Sequence, residues 1–168
     1  MKEFTVWFLL CVVICFLCLY YSGFFKKRSS KISFNNTFNK TRLPIICLYN
    51  NNQKLNFVVD SGSTASFIIG SVLPKLNIED IESVITEETS FHSTLTKSAD
   101  IVTLVLHSKH EKFVHTFYKN SDLEIACKSV SEDLGEKVCG ILGSDFLIKY
   151  NRIVDFKKLE ICSNDNKG

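Results

Sequence analysis

Residues 55–69 restrict the fold more than any other stretch. An apolar run from Leu55 to Val59, interrupted by Asn56, enters Asp60-Ser61-Gly62-Ser63-Thr64-Ala65 and turns apolar again at Phe67, Ile68 and Ile69. This reads as strand, tight loop, strand, with one carboxylate at the loop tip. A carboxylate between two buried strands is costly unless something hydrogen-bonds it or uses it. Gly62 allows close backbone approach there, and Ser61 and Ser63 place a hydroxyl on either side. Taken alone, Asp-Ser-Gly is also an ordinary turn composition.

Two later segments decide between those readings. Cys139-Gly140-Ile141-Leu142-Gly143-Ser144-Asp145-Phe146-Leu147 is an apolar strand that ends on a glycine and enters a short helix. Ile153-Val154-Asp155-Phe156 and Leu159-Glu160-Ile161 form a closing hairpin with Lys157-Lys158 at its turn. In this order and spacing the three motifs resemble the retroviral-type (retropepsin-like) aspartic proteases, most of all the single-lobe versions found outside viruses. The resemblance covers residues 43–163, one domain's worth.

The resemblance implies an all-β fold, a small closed β-barrel-like lobe with one short helix near the C-terminus at 144–150. It implies Asp60 as the catalytic aspartate, within Asp60-Ser61-Gly62-Ser63. Ser61 would brace the loop against its counterpart across a dimer axis, and Ser63 would hydrogen-bond the outer carboxylate oxygen. Ile141, Leu142 and Gly143 would pack beneath the loop. Asp145 and Asp155 are expected as cap or turn residues rather than catalytic groups. The family covers its substrate with a glycine-containing flap, whereas no glycine occurs here between Gly70 and Gly135. The matching hairpin is 86–96, centred on Ser90, Phe91, His92 and Ser93.

Peptide hydrolysis by this chemistry needs two carboxylates sharing one proton across an activated water. The chain supplies one such loop, and about 120 residues cannot hold two lobes. The second carboxylate must come from another copy, which implies a two-fold homodimer acting on a peptide or protein substrate. The alternative is a catalytically silent module of the same fold that binds peptide or dimerises. No cofactor or metal is implied.

Residues 4–25 carry no charge, and in a helix they would rise about 33 Å, enough for a hydrocarbon core of about 30 Å. Tyr20, Tyr21, Phe24 and Phe25 crowd the exit where a cleaved signal needs small residues, so the segment reads as an uncleaved membrane anchor. Lys26, Lys27, Arg28 and Lys31 follow it and place the C-terminal domain on the cytoplasmic side. The expected organisation is an anchor with its basic flank at 1–28, a polar linker at 29–42, the domain at 43–163 and a polar tail at 164–168.

A net charge of +2 gives no reason to expect a nucleic-acid partner. Cys47, Cys127, Cys139 and Cys162 are expected free in a reducing compartment, although an even number would permit two disulfides outside it. Asn35-Asn36-Thr37 and Asn39-Lys40-Thr41 are sequons by pattern, matched by chance in an Asn-rich linker. Hairpins are expected at Asn50-Asn51-Asn52 and at Ser108-Lys109-His110-Glu111. Further strands are expected at 101–106, 112–118 and 123–126, with a helical turn at 71–76. His107, His110 and His115 complete no metal-ligand pattern.

Overall fold

The structure is a computed structural model that describes residues 30–90 and 93–164, together with Val13; for residues 83–99 it describes backbone only. The apolar segment 4–25, its basic flank at 26–28, Phe91, His92 and most of the tail lie outside the described residues, Val13 excepted. Among the described residues no helix is long and apolar enough to cross a membrane.

In chain order the elements are β1 (Lys31–Ser33), α1 (Asn35–Thr41), β2 (Ile45–Asn50), β3 (Gln53–Val59) and β4 (Phe67–Ile68), then a 3-10 turn (Gly70–Lys75). The long strands β5 (Ile78–Ser90) and β6 (Ser93–His107) follow, then β7 (Lys112–Lys119), α2 (Leu123–Leu134) and β8 (Val138–Leu142). The chain closes with α3 (Ser144–Lys149), β9 (Arg152–Asp155) and β10 (Glu160–Ser163).

The larger sheet runs β2-β3-β8-β4-β7-β6-β5, and a pairing of Tyr49 with His107 joins β2 to β6 and closes the barrel. Strand β5 lies outside that ring and pairs with β6. Alternation explains the barrel wall: along β7, Phe113, His115 and Phe117 point inward while Lys112, Val114 and Thr116 face out. Phe57 from β3 stacks on Phe117 at 5.3 Å between centroids, so facing strands meet through aromatic rings. The β2–β3 hairpin turns on Asn51-Asn52, with Asn51 in the left-handed region at φ 51°, which asparagine tolerates.

Two expectations need correction. The stretch 29–42, read as a linker, joins the fold from Ser30 onward: β1 pairs with β10, setting Ile32 opposite Ile161, and α1 follows directly. Its polar composition concealed Phe34, which is 1% exposed and packs against Phe38 and Phe156. Buried Arg152 ties this strand down, donating from Nη1 to the Ser30 carbonyl (2.7 Å) and pairing through Nη2 with Glu111.

Residues 123–126, expected as a strand, begin the twelve-residue helix α2, so α3 is neither the sole nor the longest helix. Leu123, Cys127, Val130 and Leu134 recur at helical spacing on its inner face. Asn120 Oδ1 accepts the N–H groups of Asp122 and Leu123 at the start, and Gly135 ends the helix in the left-handed conformation at φ 76°. Among the described residues the fold is therefore mostly β, with three short α-helices packed on a closed barrel.

Candidate active site

The site begins where β3 ends. Val59 is buried and donates its N–H to the Pro44 carbonyl (2.8 Å), and Asp60 donates its own to the Leu142 carbonyl (3.0 Å). The backbone of Asp60 is thus held on both sides while its side chain faces solvent. The loop closes when the Ser63 N–H meets the Asp60 carbonyl (3.2 Å). Asp60 Oδ1 accepts the Gly62 N–H (2.9 Å), and a Cβ on Gly62 would lie 3.2 Å from that same oxygen. A glycine here lets the N–H and the carboxylate meet without crowding.

Ser61 is exposed at the tip, beside Asp60. Ser63 departs from its expected role: its hydroxyl donates to the Ala65 carbonyl (2.7 Å) rather than to the carboxylate. It therefore shapes the descending arm of the loop.

Ile141, Leu142 and Gly143 lie directly beneath. Strands β3 and β8 run parallel, pairing Val58 with Ile141 and Val59 with Leu142, which carries Gly143 under the loop. The Ser144 N–H donates to the Ser63 carbonyl (2.8 Å), and the Ser144 hydroxyl adds a second bond to it (3.0 Å). A Cβ on Gly143 would sit 2.5 Å from the Ala65 carbonyl oxygen, so the two segments touch backbone to backbone.

Ser66 and His115, which no sequence motif marks as site residues, anchor the base of the loop. Ser66 is fully buried, and its hydroxyl donates to Asp145 Oδ1 (2.7 Å) and accepts from the Gly143 N–H (3.0 Å). His115 Nε2 lies 2.8 Å from the same oxygen. Because the serine proton is committed to Asp145, the imidazole must carry its own proton on Nε2 and donate it. That leaves Nδ1 as a bare acceptor, and it is buried without a partner. Asp145 also accepts the Ser66 N–H on Oδ2 (3.0 Å) and the Phe146 N–H on Oδ1 (2.8 Å). Asp145 is not the cap it was expected to be: Gly143 stands at the N-cap of α3 without a side-chain cap bond, and Asp145, inside the first turn, bridges to the loop instead.

Burial pushes the His115 imidazole down from its ordinary 6.5 to about 4, with Asp145 opposing that fall and Lys149 adding slightly to it. His115 is accordingly neutral near pH 7, and its 3.4 Å approach to Asp145 Oδ2 is a polar contact rather than an ion pair. Between pH 6.5 and about 4 the unfolded chain binds a proton here that the folded chain refuses. Stability therefore declines as pH falls through that window.

The other named residues scatter. Ser90 and Ser93 form the last rung of the β5–β6 ladder, and Phe91 and His92 of the expected flap lie outside the described residues. His107 ends β6 and His110 lies within the β6–β7 turn, and Asp155 Oδ1 accepts the N–H groups of Lys157 and Lys158 at the last hairpin. Cys47, Cys127, Cys139 and Cys162 are free thiols. Burial pushes the first three up, away from nucleophilic character. A groove of about 630 Å³ lies between α2 and the 3-10 turn, lined by Ile69, Ile125, Lys128 and Val138 among others. It shares no residue with the 60–66 loop.

No family model matches the chain, and no curated protein matches it. Among the solved structures that resemble it in fold are two proteases. The EIAV protease complexed with the inhibitor HBY-793 aligns over 64% of this chain and 86% of its own, at 14% identity and a TM-score of 0.44. A retropepsin-like aspartic protease from Rickettsia conorii aligns over 80% of this chain and 89% of its own, at 18% identity and a TM-score of 0.46. Likeness of this strength fixes no activity, so the chemistry is taken from the loop and its supports.

Proposed function

We propose that the chain is an aspartic endopeptidase that acts as a dimer, with one Asp60 loop from each copy. The observation that carries this reading is Asp60 itself: a solvent-facing carboxylate on a backbone locked to β8, with Gly62 N–H already on one oxygen. A pure binding module has no need of that group at a loop tip.

Two such carboxylates hold one proton between them. The ionised one takes a proton from water as the water oxygen attacks the scissile carbonyl carbon, while the protonated one donates to the carbonyl oxygen. The tetrahedral diol collapses as the C–N bond breaks: the carboxyl that took the water proton gives it to the amine nitrogen, and the other carboxylate takes the proton of one diol hydroxyl, which restores the singly protonated pair. The β5–β6 hairpin supplies a cover for an extended peptide. Residues 4–25 would hold this domain at a membrane, facing the cytoplasm, and its first strand begins only a few residues after the basic flank.

The catalytic reading is tested with the full chain and a mixed peptide library. Cleavage is expected to be blocked by a statine-type analogue of the diol and unaffected by chelators or thiol reagents. Specific activity should drop steeply on dilution below the dimer dissociation constant. Specific activity that stays constant down to a monomer verified by sedimentation would rule out a shared site. Placement is tested separately: a protease added outside sealed cells should leave the domain whole, and its digestion there would refute the cytoplasmic orientation.

A further inference from the structure

We propose that His115, Ser66 and Asp145 are positioning residues, a buried junction that fixes the 60–66 loop against the Gly143 turn and thereby the spacing of the two Asp60 carboxylates in the dimer. The proposal rests on the aspartic-peptidase reading above and assigns the junction a part in it.

Three segments meet at one oxygen atom. Ser66 Oγ belongs to the loop, His115 comes from β7, Gly143 from the β8–α3 connection and Asp145 from the first turn of α3. The hydroxyl has one proton and two lone pairs, and all three are used: the proton goes to Asp145, and the lone pairs take the Gly143 N–H and the His115 Nε2–H. Phe117 and Phe146 meet the imidazole edge-on at 5.1 and 5.2 Å, with interplanar angles of 90° and 89°, so the ring is clamped in its orientation.

A saturated polar junction in a core rigidifies what it joins, because any displacement strands a buried donor or acceptor. Ser66 directly follows Ala65, whose carbonyl holds the Ser63 hydroxyl and lies against Gly143. A shift at Ser66 therefore passes along Ala65 and Ser63 to the arm of the loop that carries Asp60. Reactions of precisely placed groups lose about a hundredfold for a displacement near 1 Å. Moving two carboxylates apart also weakens their repulsion, so the singly protonated pair persists over a narrower pH range. A residue that only stabilised the fold would leave that range unchanged.

Full-length His115→Leu, which removes the donor at similar volume, is compared with His115→Gln, which restores an amide N–H near the Nε2 position. In His115→Leu, kcat should fall by about ten- to a hundredfold with little change in KM, and the pH–activity bell should narrow. His115→Gln should recover most of both. Nitrogen NMR of the wild-type chain should show the His115 proton on Nε2, and a proton on Nδ1 would overturn the junction regardless of activity. The urea midpoint of the wild type should decline between pH 6.5 and 4 more steeply than that of His115→Gln. Should His115→Leu not fold, Ser66→Ala carries the same comparison.

A folded His115→Leu chain with unchanged kcat and an unchanged bell overturns the proposal alone. A wild-type chain without Asp60-dependent cleavage removes the peptidase reading, and the proposal with it.

Discussion

Activity in mixtures of wild-type and Asp60→Asn chains is expected to follow the square of the wild-type fraction. The variant alone should be silent, since acid–base groups of this kind contribute about 10²- to 10⁴-fold each and here one side chain supplies both partners. Asparagine keeps an oxygen where Asp60 Oδ1 accepts the Gly62 N–H, so the loop loses its charge and keeps its shape. A mixed dimer holds one carboxylate facing one amide, and that pair cannot share a proton. With random pairing, an equal mixture retains about one quarter of the activity, because only the homodimer of wild-type chains works. A linear fall, with half the activity left, would mean that each chain works alone. Hydrolysis that survives Asp60→Asn would locate the chemistry elsewhere.

The loop and its floor were legible in the sequence for a physical reason: both are set by contiguous residues. Leu55–Val59 must be a strand, Asp60-Ser61-Gly62 must turn, and Ile141-Leu142-Gly143 must be a buried strand ending on a glycine. What the sequence concealed depends on partners far away in the chain. Ser63 has a hydroxyl at the right spacing for the carboxylate, but the nearer Ala65 carbonyl takes it. His115 was legible as part of an alternating strand, between Phe113 and Phe117 on the inward register. Only the fold brings it to Ser66, 49 residues earlier, and Asp145 to the same point.

Composition misled in two places. The Asn- and Thr-rich stretch before residue 43 looks like a tether, yet Ile32, Phe34 and Phe38 give it enough apolar surface to dock. The four residues Leu123–Ala126 look like a strand in a short window. Helical spacing emerges only when Cys127, Val130 and Leu134 are counted with Leu123, and Ile125, 83% exposed, breaks the alternation a half-buried strand would need.

Gly140→Ala is expected to destabilise the domain by about 4 kcal/mol or more, a large share of the ~5–15 kcal/mol typical of a whole domain. Gly140 lies in β8 opposite Ile68 of β4, and the neighbouring Ile69 N–H donates to the Cys139 carbonyl (3.0 Å). A Cβ at this position would stand 2.0 Å from the Phe67 carbonyl oxygen and 3.0 Å from Ile68 Cα. Both obstacles are backbone, so no side-chain rotation relieves them. Strand β4 would have to move away from β8, and β4 links β8 to β7 in the barrel wall. The same exchange at Gly135 separates this cause from ordinary glycine effects. Gly135 has φ 76° with nothing within 4 Å of a Cβ, so alanine there carries only the left-handed backbone cost of roughly 1–2 kcal/mol. Urea unfolding of both variants beside the wild type measures the difference. Similar midpoints for Gly140→Ala and Gly135→Ala would show that β4 yields easily, and the close backbone approach of β4 to β8 would then not be a fixed part of the barrel wall.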